Sequence, residues 1–95
     1  MVQVNWTLQA NEDLQNIALY ISKDSKQYAR MQVMRIRNRT KILHTHPHIG
    51  RKVAEYDEPN FKELIEGNYR IIYKIINDTT IDIVTIWHSA RMLNM

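Results

Sequence analysis

Arg70, His88 and Arg91 are the residues of this chain whose chemistry suits work on an anion. A guanidinium presents a fork of N–H donors that matches phosphate and carboxylate oxygens. A histidine changes charge near neutrality and can carry a proton there. Their spacing along the chain brings them together. Tyr69–Ile76 and Ile81–Trp87 are rich in β-branched and aromatic residues, and Asn77-Asp78-Thr79-Thr80 between them is turn chemistry. The pattern predicts a long antiparallel hairpin within residues 68–91. The start of its first strand then lies beside the end of its second, so Arg70, His88 and Arg91 are expected at one end of a sheet. The same residues also admit a structural reading. Arg70 would pair with Glu63 or Glu66 across the strand, and His88 would bond backbone at a strand end.

His44, His46 and His48 form a second constellation. Alternate histidines share a face of extended backbone and would suit a metal. Here His44 is expected to end a helix, Pro47 interrupts the run, and no Cys or carboxylate stands at ligand spacing. The pattern therefore predicts no metal site and no cofactor. There is no Gly-rich phosphate loop, no Gly-x-Ser-x-Gly and no cysteine.

The remaining elements must position these groups. Val2, Val4 and Trp6 alternate with polar residues and predict a short strand. Thr7 offers an N-cap hydroxyl, and Ala10, Leu14, Ile17, Ala18 and Ile21 recur at helical spacing behind it. The helix stops near Ser22-Lys23-Asp24-Ser25, which also caps the next. The second helix carries the seam Ala29, Val33, Ile36, Thr40, Leu43 and runs until Pro47 stops it. Few residues join the two helices, which predicts an antiparallel helical hairpin. The second helix is basic outside: Arg30, Arg37 and Lys41 on one side, Arg35 and Arg39 on another. That is either a solvated face or an attraction for nucleic acid or an acidic partner. Residues 46–60 read as a surface loop. Phe61–Glu66 is a strand, and Gly67-Asn68 is a glycine-first hairpin turn into the central hairpin. The order strand, helix, helix, three-stranded antiparallel meander defines an α+β fold. Leu14, Ile17, Val33, Ile36, Ile71, Tyr73 and Ile83 are expected in its core.

A length of 95 residues predicts a single domain over residues 1–95, with an ordinary 44% hydrophobic and 24% charged composition and a net charge of +3. The charge favours anionic partners without identifying them. The absence of cysteine favours a reducing cytoplasm. No apolar run reaches membrane-spanning length, and the chain opens directly into strand alternation, which predicts neither a membrane segment nor a secretion signal.

Four motifs occur in order: Trp6-x-x-x-Ala10-x-x-Asp13-Leu14-x-x-Ile17, Pro47-x-x-Gly50-Arg51-x-Val53, Tyr69-Arg70-Ile71-Ile72-Tyr73 and His88-x-x-Arg91. Together they resemble the RelE/ParE superfamily of toxins from type II toxin–antitoxin (plasmid stabilisation) modules, over almost the whole chain. The resemblance implies a growth-inhibiting toxin held inactive by a cognate antitoxin, as a dimer or a toxin–antitoxin hetero-oligomer. RelE-like members cut messenger RNA on the ribosome, whereas ParE-like members poison DNA gyrase. Gly50-Arg51-Lys52-Val53 and His88-x-x-Arg91 look ParE-like. The segment after His88 has no tyrosine, and Phe61–Glu66 holds one lysine where the RelE pattern is richly basic. The ParE-like branch is therefore expected. In the nuclease alternative, Arg70 and Arg91 would stabilise the scissile phosphate, His88 would act as general acid or base, Glu55 would be a further base, and no metal would be needed. A bare nucleic-acid-binding module is the third reading. For partner binding the expected residues are Arg30, Arg37, Lys41, Arg91, Met92 and Leu93.

Overall fold

The computed structural model describes residues 1–89. A five-stranded sheet carries a helical hairpin on one face. In chain order the elements are β1 (Gln3–Trp6), α1 (Leu8–Ser22), α2 (Lys26–Arg39), a 3-10 turn (Thr40–His44), β2 (Arg51–Lys52), β3 (Phe61–Glu66), β4 (Tyr69–Asn77) and β5 (Thr80–His88). The sheet order is β1-β5-β4-β3-β2.

The three-stranded meander is present, with β3 antiparallel to β4 and β4 to β5. The sheet as a whole is mixed, because β1 lies parallel to β5 on its other side. A parallel neighbour needs a long crossover, and the two helices with everything after them supply it. The short strand β2 pairs antiparallel with β3 and extends the sheet within the segment read as loop.

Local chemistry explains the element ends. The Thr7 hydroxyl accepts from the Ala10 amide at 3.1 Å and Ser25 does the same for Tyr28, so both helices begin on hydroxyl caps. Gly67 takes φ 59° in the β3–β4 turn and no other described residue has positive φ, which is a glycine-first turn. The second helix is shorter than Pro47 alone would require. At Thr40 the hydroxyl donates back to the Arg37 carbonyl at 2.7 Å, and the chain tightens into the 3-10 turn there.

Ala10, Leu14 and Ile17 of α1 pack with Ile36, Leu43 and the sheet residues Ile71, Tyr73, Ile81 and Ile83. Val33 is half-buried instead of fully buried, and Gln32 is buried in its place. The inward face of α2 is centred on Ala29, Gln32 and Ile36, which turns Val33 toward α1.

The segment from 46 to 60 is not a free loop. Val53 and Gly50 are buried. The Tyr73 hydroxyl, inside the core, accepts from the Gly50 amide and donates to the Pro47 carbonyl, both at 2.9 Å. A Cβ on Gly50 would stand 2.5 Å from that oxygen and 2.8 Å from the Glu63 carbonyl, so only glycine fits. Burial pushes the Tyr73 phenol up, keeping it protonated and able to donate. Further along, Tyr56 meets the rings of Phe61 and Trp87 edge-on at 4.8 and 5.7 Å.

A register irregularity in the central pair sets the orientation of the sheet's far end. Ile72 faces Thr85, but Tyr73 faces Ile83, so Val84 is an extra residue in β5. The start of α1 holds this bulge. The Thr7 hydroxyl lies 2.9 and 3.0 Å from the Ile83 and Val84 carbonyls. β1 ends at Trp6, leaving β5 unpaired on that side, and the Asp13 carboxylate fills in by accepting from the Ile86 amide at 3.1 Å and from the Thr85 hydroxyl. Asp13→Ala is expected to cost roughly 1–3 kcal/mol, as an edge amide and a buried hydroxyl lose a charged acceptor. Urea unfolding checks this, and a loss below about 0.5 kcal/mol would show the bulge to be held by packing alone.

Candidate functional site

Directly opposed residues in the β4–β5 pair are Tyr69 with His88 and Arg70 with Trp87. Opposed residues share a face and successive residues alternate. Arg70 and His88 therefore do stand at one end of the hairpin, on opposite faces. Tyr69 belongs to the core cluster beneath the helices, so His88 lies on the helix side. Its ring meets Tyr69 edge-on at 5.0 Å, and its buried Nδ1 finds no hydrogen-bond partner among the described residues. Arg91, Met92 and Leu93 lie outside the described residues.

Arg70 faces away from the helices and is closed on both edges. Its Nη1 and Nη2 donate to the two Glu55 oxygens, each at 2.7 Å. Its Nε donates to Glu63 Oε2 at 2.7 Å and Nη2 to Glu63 Oε1 at 3.0 Å. Trp87 lies under the guanidinium, 5.2 Å from centroid to carbon. Glu63 is buried in this contact, while Glu55 remains 39% exposed. Arg51 reaches Glu63 more loosely at 3.7 Å. The bond to Arg70 is the main cause that holds the Glu55 carboxyl down at about 2, and the two carboxylates raise Arg70 further above its usual range. This group lines a shallow cleft with Lys52, Ala54 and Ser89. Glu63 was legible as a cross-strand partner of Arg70. Glu55 as the second partner was not, because no periodicity links residue 55 to residue 70.

The three histidines do not converge. His44 Nδ1 is 2.7 Å from the Val2 carbonyl and His46 Nδ1 is 2.9 Å from the Thr45 hydroxyl. No group of three metal-ligating side chains occurs among the described residues.

A second candidate surface lies between the helices. Ala18, Leu19, Ala29, Val33 and Met34 floor an open groove of about 590 Å³ along the outside of the hairpin. Leu19 and Met34 are 59% and 61% exposed. Lys26 and Arg30 line it, and Arg37 lines its continuation beside Asn11, Leu14 and Gln15, with no carboxylate in either part. Arg37 also stacks on Trp6 at 4.8 Å and reaches Asn11 at 3.4 Å. Arg35 and Arg39, four residues apart, occupy the opposite flank of α2, where Arg39 Nε donates to the Ile65 carbonyl at 3.2 Å.

A helical hairpin on one face of a mixed sheet, an arginine paired with two carboxylates on the other, and a cation-lined apolar groove define this small basic α+β protein. The chain belongs to the family described as ParE toxin of type II toxin-antitoxin system, parDE, whose sequence profile matches residues 4–93. Three solved structures share its fold. The chromosomal ParDE toxin–antitoxin system from P. aeruginosa aligns with TM-score 0.75 at 22% identity, over 93% of this chain and 96% of that one. The RelB–RelE antitoxin–toxin complex from Methanococcus jannaschii aligns with TM-score 0.56 at 18% identity, over 95% of each chain. YafQ from E. coli aligns with TM-score 0.51 at 11% identity, over 97% of this chain and 98% of that one. No curated protein matches. No described helix is long and apolar enough to cross a membrane.

The two carboxylates on Arg70 should differ in energetic weight. Glu63→Gln is expected to cost about 1–3 kcal/mol, because its partner charge is largely buried. Glu55→Gln should cost under about 1 kcal/mol, since solvent screens an exposed pair. The Glu55 carboxyl is depressed on folding, so its contribution is present above its ordinary 4.5 and is lost as pH falls through about 2. Unfolding measured from pH 6 to pH 2 should therefore show a shallower acid loss in Glu55→Gln. Equal costs for the two variants would contradict the clamp's asymmetry.

Proposed function

We propose that this chain is the toxin of a type II toxin–antitoxin module, neutralised by an acidic antitoxin segment, and that its target is DNA gyrase instead of messenger RNA. The observation that carries the choice of target is the closure of Arg70. An RNA-cutting site needs cationic donors free to meet charge developing on the scissile phosphate. Here Glu55 and Glu63 occupy both edges of the guanidinium, and an incoming phosphate meets two carboxylates as well. His88, the candidate proton carrier, stands on the other face of the sheet. Glu55, held at about 2, is too weak a base for work near neutrality.

The groove between the helices supports the antitoxin half of the reading. Its apolar floor suits the stripe of an amphipathic helix, and Lys26, Arg30 and Arg37 suit acidic flanks on that helix. A second copy of this basic surface would meet like charge there. The ParDE and RelB–RelE structures are toxin–antitoxin systems of the same fold, in keeping with such a partner. Arg91, Met92 and Leu93 are assigned to partner contact as part of this proposal, as is Lys41.

Purified protein assayed in parallel on gyrase supercoiling and on translating ribosomes tests the target. Inhibition of supercoiling with intact messenger RNA is expected, and ribosome-dependent cleavage lost in Arg70→Ala would replace the gyrase reading with a nuclease. Truncation after His88 should abolish gyrase inhibition, while His88→Ala should leave it nearly intact if the fold survives. For the partner, Leu19→Glu combined with Arg30→Glu should weaken antitoxin binding at least about tenfold, as both apolar contact and charge pairing are lost. Affinity unchanged in the folded double variant would move the antitoxin to another surface.

A further inference from the structure

Charge is divided unevenly along this chain. Residues 25–54 contain eight of the thirteen Lys and Arg residues and no Asp or Glu, while all ten carboxylates lie outside that stretch. Seven of the eight cations are exposed, and Arg39 is half-exposed. Of these eight only Arg51 comes within ion-pair distance of a carboxylate among the described residues, and that at 3.7 Å. An ordinary solvated surface intersperses signs.

The groove-side cations, Lys26, Arg30 and Arg37, have a proposed role above. Lys41, in the 3-10 turn that follows α2, is assigned to the same partner, and the remaining four, Arg35 and Arg39 on the opposite flank of α2 and Arg51 and Lys52 on β2, form a second row. Arg35 and Arg39 are successive residues of one α2 flank. Arg39 reaches the Ile65 carbonyl of β3, beyond the two residues that β2 pairs, and it shares a cleft with Arg51 and with Glu63, whose carboxylate is buried against Arg70 and leaves the two cations outermost. Lys52 follows Arg51 on β2. Lys52 stands directly opposite Lys62 of β3, a like-charge cross-strand pair that costs stability. Neither lysine comes within ion-pair distance of a carboxylate among the described residues. An anion lying along the sheet edge would offset the repulsion.

We infer that this row, Arg35, Arg39, Arg51 and Lys52, binds the phosphate backbone of duplex DNA. A polyanion of regular charge spacing suits cations strung from a helix flank to a sheet edge, and phosphate contact needs no base-reading side chain. Single-stranded nucleic acid fits less well, because it is held by aromatic rings on which bases stack. Both tryptophans and the phenylalanine are already engaged, Trp6 by Arg37, Trp87 by Arg70 and Tyr56, and Phe61 by Tyr56 and Lys74, and the exposed Tyr20 and Tyr28 stand on α1 and at the start of α2, away from β2. The surface is separate from the groove, so DNA and an antitoxin helix can be held together. This inference stands on charge and placement and does not depend on gyrase being the target.

The test is fluorescence anisotropy of the full chain with a labelled mixed-sequence 30-base-pair DNA duplex over a range of salt. Four phosphate contacts predict a slope of log K against log salt of about −3.6. In the folded triple variant Arg35→Gln, Arg51→Gln, Lys52→Gln the slope should fall to about −0.9, with affinity at low salt reduced at least about tenfold. Arg39 is left in place because it also bonds the sheet. Lys26→Gln with Arg30→Gln should leave the DNA slope unchanged while weakening the antitoxin, which separates this surface from the groove. No duplex binding at low salt, equal loss from both sets of variants, or tighter binding of single-stranded RNA than of duplex would each overturn the assignment. Thermal melting of every variant, matched to the parent, excludes unfolding as the cause.

Discussion

The extra residue in β5 governs which groups can act together at the end of the sheet. Without it, strict alternation from Ile81 and Ile83 would carry Thr85 and Trp87 into the core and turn His88 away from it. With Val84 inserted, Ile86 and His88 follow Ile83 onto the helix face, and Trp87 comes out beside Arg70. A bulge re-aims every side chain beyond it, and it persists only where its unpaired groups find partners. Thr7 and Asp13 are those partners. The first turns of α1 thus decide the chemistry available some seventy residues later.

Two surfaces follow from this arrangement. On the far face the half-buried Trp87 becomes the floor beneath Arg70, and Glu55 and Glu63 complete a closed unit of arginine, two acids and a ring. On the helix face the hairpin sits over a continuous apolar core, and its outer side is left as a groove with cations and no acids. The closed arginine and the open groove are the two features on which the proposed reading rests. The fold is shared with RelB–RelE and with YafQ, so function must be read from the closed site and the groove, since a fold alone does not specify them.

Much of the fold was legible. Hydroxyls at Thr7 and Ser25 mark the helix starts, apolar spacing marks the α1 seam, and Gly67-Asn68 marks the turn. Each is a local signal, where residue type and backbone need agree only over a few positions. What escaped depends on distant partners. The parallel placement of β1, the pairing of β2 and the Val84 bulge are all long-range choices. The segment at 46–60 read as loop because its composition is polar, yet the Tyr73 hydroxyl and the space beneath Gly50 tie it down. For the site, the end of the hairpin was legible and its faces were not, since one inserted residue inverts them. The apolar seam points Val33 fully inward, whereas Gln32 takes that place, a burial that no apolar count reveals.

The closure of Arg70 also bears on how such a chain could change occupation over evolutionary time. Removing Glu55 alone leaves Glu63 on the guanidinium, and removing Glu63 alone strands a mostly buried charge on one exposed carboxylate. Neither single step delivers a free cation: the first leaves it bound, and the second is the one that costs stability. The two carboxylates act as a double latch: opening the arginine takes two substitutions, and the one at Glu63 carries most of the cost.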